Sequence, residues 1–218
     1  MTADPQASTV NPPGGVGLSG LREAAQGCRG CELWEPATQA VFGAGPETAR
    51  IVFVGEQPGD QEDLRGEPFV GPAGRLLDRA LADSGIDRGD AYVTNAVKHF
   101  RFRPTPKRRL HVSPGAEHIA ACRPWLDAEL ALLAPEIVVC LGAVAAKALI
   151  APSFRITKDR GRLLPRPSAL GDEEAGVQQS WLMATTHPSA ILRTPDEERA
   201  AAYDALVADL RVAASALA

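Results

Sequence analysis

Three side chains able to take part in acid–base chemistry or hydrogen bonding follow short apolar runs of the sequence. Glu56 comes after residues 51–55, Asn95 after residues 91–94 and His187 after residues 181–186. If these runs are parallel strands, their carboxyl ends share one sheet edge, which is where open α/β sheets bind ligands. A carboxylate, an amide and an imidazole could then act on one substrate. The alternative is that strand ends simply lead into loops, which carry polar residues on most protein surfaces.

The four cysteines suggest a metal site. Cys28 and Cys31 form a C-x2-C pair, and Cys122 lies in a helical segment. Cys140 lies inside an apolar run, so we expect it to be a small core residue. A zinc ion or an iron–sulfur cluster takes four ligands, and His99 could be the fourth because imidazole replaces thiolate in Rieske centres. The alternatives are a redox C-x2-C pair, although such pairs usually follow a strand, and a surface histidine at position 99.

A basic segment with interleaved aromatic residues spans residues 98–115. The chain carries a formal net charge of -4, so an anionic partner needs a local patch of this kind. Basic residues alternating with Phe100 and Phe102 suit a nucleic-acid backbone and its bases, whereas the common alternative is a solvated charge run. His111 in this segment is a candidate nucleophile or acid–base group. The cations are Lys98, Arg101, Arg103, Lys107, Arg108 and Arg109.

The elements that must position these residues alternate between strands and helices. Apolar runs at residues 51–54, 91–94, 137–141 and 181–185 predict four strands, and residues 19–27, 71–84, 115–133, 143–149 and 195–214 predict helices. This order favours a three-layer α/β/α sandwich around a central, mostly parallel four-stranded sheet. We expect a disordered tail over residues 1–18, a single domain over residues 19–218 and an exposed loop over residues 165–180.

Targeting signals are not expected in this sequence. Residues 1–16 hold no Lys, no Arg and no apolar core, and the longest apolar stretch, residues 137–150, contains Lys147. A signal peptide needs a basic start and an apolar centre, and a membrane span needs about 20 apolar residues. We therefore expect a soluble protein of the bacterial cytoplasm with no membrane partner, in which cysteines are thiols or metal ligands.

Several separated motifs resemble the uracil-DNA glycosylase superfamily, and within it the iron–sulfur family 4 branch. They are Gly55-Glu56-Gln57-Pro58-Gly59, residues 68–71 (PFVG), 94–98 (TNAVK), 121–126 (ACRPWL) and 186–189 (THPS). The resemblance runs from about Cys28 to the C-terminal helix. Gln57, and the KRRLH sequence of residues 107–111, bring the chain closer to the uracil-DNA glycosylase X group, whose insertion reads KRRIH. His99 stands where family 4 enzymes carry Cys.

The resemblance implies an activity and a cofactor. The protein is expected to excise uracil from DNA, preferably single-stranded, to release free uracil and to act as a monomer. A [4Fe–4S] cluster is implied on Cys28, Cys31, His99 and Cys122. The alternatives are a hydrolytic, turnover enzyme of family 4, in which water does the work of His111, and a non-catalytic iron–sulfur module that only binds DNA.

The resemblance also implies a role for each site residue. His111 attacks C1′ of the deoxyribose, so that the protein becomes covalently linked to the abasic site. Glu56 stabilises the sugar cation and His187 donates to uracil O2. Phe69 stacks on the flipped base, Asn95 reads its edge, Arg109 contacts a phosphate and Gln57 supports the site geometry. The remaining substrate-binding residues are Gly55, Gly59, Asp60 and Ser189.

Overall fold

A computed structural model describes residues 11–166 and 180–217 of the chain. The first ten residues of the expected tail, and most of the loop expected over residues 165–180, lie outside this described part. The first helix begins at Leu18, whose side chain is buried in the core. No helix in the described ranges combines the length and the apolar character that crossing a membrane requires.

The central sheet contains the four predicted strands and one more. The strands of the chain are β1 (Ile51–Gly55), β2 (Ala91–Asn95), β3 (Phe102–Pro104), β4 (Arg109–His111), β5 (Ile137–Leu141), β6 (Leu164–Pro165) and β7 (Trp181–Thr185). The sheet order is β2-β1-β5-β7-β6, and the first four are all parallel to one another. Strand β6 adds an antiparallel edge of only two residues, too short for any sequence periodicity to reveal. The mostly parallel α/β prediction is confirmed.

Helices cover both faces of the sheet. They are α1 (Leu18–Gln26), α2 (Asp60–Arg65), α3 (Pro72–Ser84), α4 (Ala116–Leu133), α5 (Ala143–Leu149), α6 (Ile156–Asp159), α7 (Pro188–Arg193) and α8 (Asp196–Ser215). Successive strand side chains point to opposite faces, so Val52 and Val54 of β1 pack with α1, α4 and α5. Ile51 and Phe53 pack with α3, α7 and α8. The fold is therefore a three-layer sandwich with two apolar cores.

The basic segment contains a small antiparallel hairpin. Strands β3 and β4 pair with Phe102 opposite His111 and with Pro104 opposite Arg109. We call this unit, residues 102–111, the hairpin. Its strands have three residues each and include a proline, which weakens any strand signal in the sequence. It is the next element of the chain after β2, which ends at Asn95.

Candidate active site

A cleft of about 660 Å³ opens at the carboxyl ends of the parallel strands. Glu56 and Asn95, from the ends of β1 and β2, line it together with His187, which follows β7. His111 reaches the same cleft from the hairpin. Because these four side chains come from separate segments, the fold creates the site by bringing their strand ends to one edge, as parallel sheets do.

His187 is held as a neutral hydrogen-bond donor. It caps the start of α7, where its Nδ1 accepts a hydrogen bond from the backbone N–H of Ser189 at 3.1 Å. Burial, reinforced by the positive charge of Arg193, lowers the pKa of His187 to about 4. A neutral imidazole carries one proton, so with Nδ1 accepting, the proton lies on Nε2. That N–H is the group His187 has free to donate to a ligand.

His111 lies against the carboxylate of Glu56. The distance from His111 Nε2 to Glu56 Oε1 is 3.7 Å, and the histidine side chain is 48% exposed. Glu56 Oε1 is buried and accepts no hydrogen bond from the residues that the structure describes. Burial lowers the pKa of His111, Glu56 opposes this effect and the charge of Arg193 adds to it. The cation that contributes to this lowering is Arg193, at the end of α7.

The floor of the cleft is formed by Asn95 and Phe69. A Cβ atom at Gly55 would come within 2.3 Å of Asn95 Oδ1, so glycine leaves room for the amide. The Asn95 side chain is buried, and no described side chain hydrogen-bonds to its amide. Phe69 has a left-handed backbone (φ 59) and stacks on His187 with ring centroids 6.1 Å apart. A Cβ at Gly74 would lie 1.5 Å from the Phe69 carbonyl oxygen, which makes glycine necessary there.

Lys98 does not belong to a surface patch, contrary to our interpretation of the basic segment. Its ammonium group is buried and forms an ion pair with the buried carboxylate of Glu129. It also donates to the Asn95 carbonyl oxygen at 2.9 Å and to Thr94 Oγ1 at 2.8 Å. Tyr92 and the Gly43 N–H donate to the same carboxylate. This buried network fixes the backbone that carries Asn95, and burial of both charges is tolerated because each is paired.

Gln57 ties the base of the hairpin to the sheet edge. Its Nε2 donates to the carbonyl oxygens of Arg101 and Val112, both at 3.1 Å, and its Oε1 accepts from the Arg101 N–H at 3.0 Å. These contacts hold the chain just before β3 and just after β4. They therefore fix the distance between His111 and the first motif.

Arg109 ties the hairpin to α2. Its guanidinium pairs with Asp60 and with the fully buried carboxylate of Asp63, each at 2.6 Å, and lies over the ring of Phe102 at 4.9 Å. The guanidinium is thus already paired with two carboxylates, and the phosphate contact that the family resemblance implied stays a prediction. The sequence offers no reason to assign Asp63 a role at the site, since acidic residues early in a helix are common for the helix dipole alone.

Known proteins are similar in sequence to this chain over most of its length. The family model of the uracil DNA glycosylase superfamily matches residues 42–211. The type-4 uracil-DNA glycosylase of Pyrobaculum aerophilum is 38% identical over 178 residues, covering 82% of this chain and 86% of that protein. The enzymes of the same name from Archaeoglobus fulgidus and Thermotoga maritima are 37% and 38% identical, covering 77% and 82% of the chain and 79% and 84% of their own lengths. The chain belongs to the uracil-DNA glycosylase superfamily.

In this member of the superfamily, the four candidate cluster ligands come from four segments. Cys28 follows α1, Cys31 precedes a 3-10 turn (Glu32–Trp34), His99 follows β2 and Cys122 lies in α4. The thiols of Cys31 and Cys122 hydrogen-bond to each other, and the Lys98 N–H donates to Cys122 Sγ at 3.5 Å. Cys140 is enclosed in the sheet core, where burial raises the pKa of its thiol to about 12.

The donor set consists of three thiols and one imidazole, ligand types that zinc ions and iron–sulfur clusters both accept. Within residues 11–166 and 180–217, no three His, Cys, Asp or Glu side chains converge closely enough to hold one metal ion. His99 Nδ1 is buried and has no hydrogen-bond partner in the described chain, as a nitrogen reserved for a metal would be.

Proposed function

We propose that this protein excises uracil from DNA and remains covalently attached, through His111, to C1′ of the abasic sugar. The observation that carries the proposal is the 3.7 Å approach of His111 Nε2 to Glu56 inside the cleft that also holds His187. A carboxylate facing a sugar cation and a nucleophile beside that carboxylate are what capture of the cation requires.

Base recognition follows from the cleft floor. Uracil must leave the base stack before a protein can bind its edge, and a single strand avoids the cost of unpairing, which supports a preference for single-stranded DNA. Phe69 would stack on the flipped ring. The free amide of Asn95 both donates and accepts, and so would match the adjacent carbonyl and N–H of the uracil edge.

Bond cleavage would separate charge between sugar and base. The N1–C1′ bond breaks with its electron pair leaving on uracil, and the Nε2–H of His187 donates to uracil O2, where this negative charge develops. The carboxylate of Glu56 stabilises the positive charge on the sugar. The lone pair of neutral His111 Nε2 then forms a bond to C1′. The resulting imidazolium loses its Nδ1 proton to solvent, and the uracil anion takes up one proton from solvent, which leaves a neutral N-alkyl imidazole and free uracil.

Substitution of His111 tests the covalent step. We expect His111→Ala to abolish the crosslink to uracil-containing single strands while base excision continues slowly, because Glu56 and His187 remain and water can enter the vacated space. A denaturing gel distinguishes the outcomes: a shifted band is the adduct, and a strand cleaved by alkali is the abasic product. The matching thymine-containing strand is the control. A crosslink that persists in His111→Ala would assign the nucleophile elsewhere.

Two other functions predict different results from the same gel. A hydrolytic enzyme of family 4 would give abasic product and no shifted band in the unaltered protein. A binding module without catalysis would leave the strand intact. The position of His111 beside Glu56 favours the adduct over hydrolytic turnover. The convergence of Glu56, Asn95 and His187 favours catalysis over binding alone.

We further propose that Cys28, Cys31, His99 and Cys122 hold a [4Fe–4S] cluster. Three thiolates and one imidazole are an accepted ligand chemistry for iron, and the unpartnered His99 Nδ1 supports this assignment. When bound, the cluster would crosslink four chain segments and supply no step of the glycosidic chemistry. Its residues lie beside Lys98, so the cluster would also secure the loop that follows Asn95.

A further inference from the structure

Arg193 is a cation of the cleft for which the mechanism has no role. It is the last residue of α7, is exposed and lines the cleft with Glu56, His111 and His187. Its guanidinium forms no ion pair or hydrogen bond within the described residues. Of the described residues that line the cleft, Arg193 is the only arginine or lysine. A cation at a helix C-terminus interacts favourably with the helix dipole, but that alone does not require a place in the cleft wall.

The charge of Arg193 acts on both histidines of the cleft. Arg193 lines the same cleft as His111 and His187 and contributes to the lowered pKa of both, so its guanidinium belongs to the wall beside which the sugar must sit. A nucleotide whose C1′ faces His111 brings its own phosphates to the cleft rim. A guanidinium binds a phosphate through two parallel N–H···O contacts, which fixes orientation as well as position.

We infer that Arg193 forms a phosphate-binding subsite for the DNA backbone next to the flipped nucleotide. Arg109 is already paired with Asp60 and Asp63, whereas the guanidinium of Arg193 has no such partner in the described chain. The hairpin carries other exposed cations, Arg103, Lys107 and Arg108. Because they belong to a different element from Arg193, the DNA strand would be held at two separate places around the reacting sugar. Arg193 is thus a positioning residue, and the inference depends on DNA binding at this cleft but not on the covalent step.

The test measures binding without catalysis. The probe is a single strand that carries a tetrahydrofuran abasic analogue, which offers phosphates but has neither a base nor a reactive C1′. Binding is followed by fluorescence anisotropy over a range of potassium chloride concentrations. For single strands, each phosphate contact contributes about 0.7 to the slope of log K against log salt. We expect Arg193→Gln to reduce the slope by about that amount and to weaken binding roughly tenfold at low salt, whereas Arg193→Lys keeps the slope.

Arg88→Gln is the matched control. Arg88 is also exposed, but it lies just before β2, at the amino end of that strand and away from the cleft. Its loss should leave the slope unchanged. Equal slopes for the unaltered protein and Arg193→Gln would overturn the inference. A slower excision of uracil with an unchanged slope would overturn it as well, because the cation would then act on the departing base. Failure of the adduct alone would change neither slope, so the two proposals fail separately.

Discussion

The two histidines of the cleft differ because their surroundings differ. His187 is enclosed, and its Nδ1 is occupied by the Ser189 N–H, so it can only donate through Nε2. His111 is half exposed and faces a carboxylate, and its lone pair is available only while the ring is neutral. To donate to a leaving group, His187 needs a proton on Nε2. To attack a sugar cation, His111 instead needs a free lone pair.

The pH dependence of adduct formation follows from these states. Burial and Arg193 place the pKa of His111 below its ordinary value of 6.5, and His187 titrates at about 4. Protonation of His111 removes the lone pair of the nucleophile, so the rate should decrease as the pH falls, with a midpoint below 6.5. Single-turnover gels on a uracil-containing strand measure the midpoint. Arg193→Gln removes a like charge and should move the midpoint upward. A midpoint above 6.5 in the unaltered protein would contradict the assignment.

At the scale of elements, the hairpin carries His111, and neighbouring segments determine its position. Three-residue strands cannot fix their own register firmly, and this pair contains Pro104. The hydrogen bonds of Gln57 hold its base, and the ion pairs of Arg109 hold it to α2. The proposed covalent step would therefore depend on residues that need not touch the DNA.

Gln57→Ala tests this dependence. It removes three hydrogen bonds, each worth about 1 kcal/mol, so the hairpin should sample positions in which His111 misses C1′. We expect the ratio of crosslinked to abasic product to fall severalfold, with total excision less affected, as read from one denaturing gel. Gln26→Ala is the matched control, since Gln26 also donates to a backbone carbonyl, that of Ala40, away from the hairpin. An unchanged ratio in Gln57→Ala would mean that the hairpin holds its position without this anchor.

The elements also explain what the sequence could predict. Strands β1 and β5 are continuous apolar runs in the sequence because they are buried on both faces. A parallel arrangement of the strands then predicted that Glu56, Asn95 and His187 meet at one sheet edge. The hairpin and β6 were missed because so few residues carry no periodicity. Lys98 was misjudged because its partner, Glu129, is 31 residues away in the chain. Such pairings are decided by tertiary packing and leave no local pattern.

At the scale of the whole molecule, an acidic protein must bind an acidic polymer. The formal net charge is -4, yet the described surface near the cleft presents Arg103, Lys107, Arg108 and Arg193. Electrostatic attraction over distances beyond the Debye length, about 8 Å at physiological salt, is screened, so these local cations outweigh the net charge at contact. Their grouping around one cleft would direct a DNA strand to that cleft instead of letting it spread over the protein surface.

The proposed cluster acts on the whole molecule because its ligands lie in four segments. If it joins them, the purified protein should be brown, and Cys122→Ala should lose visible absorbance, iron content and thermal stability. Cluster binding is coupled to folding, and each kcal/mol lost lowers the melting temperature of a chain this size by about 2–4 °C. Cys140→Ala is the matched control, because Cys140 is equally buried but lies in the sheet core, away from the proposed ligands. It should lose some stability to the smaller side chain and keep its full colour and iron. A colourless protein that contains zinc, or one in which Cys140→Ala loses the iron that Cys122→Ala retains, would contradict the proposed ligand set.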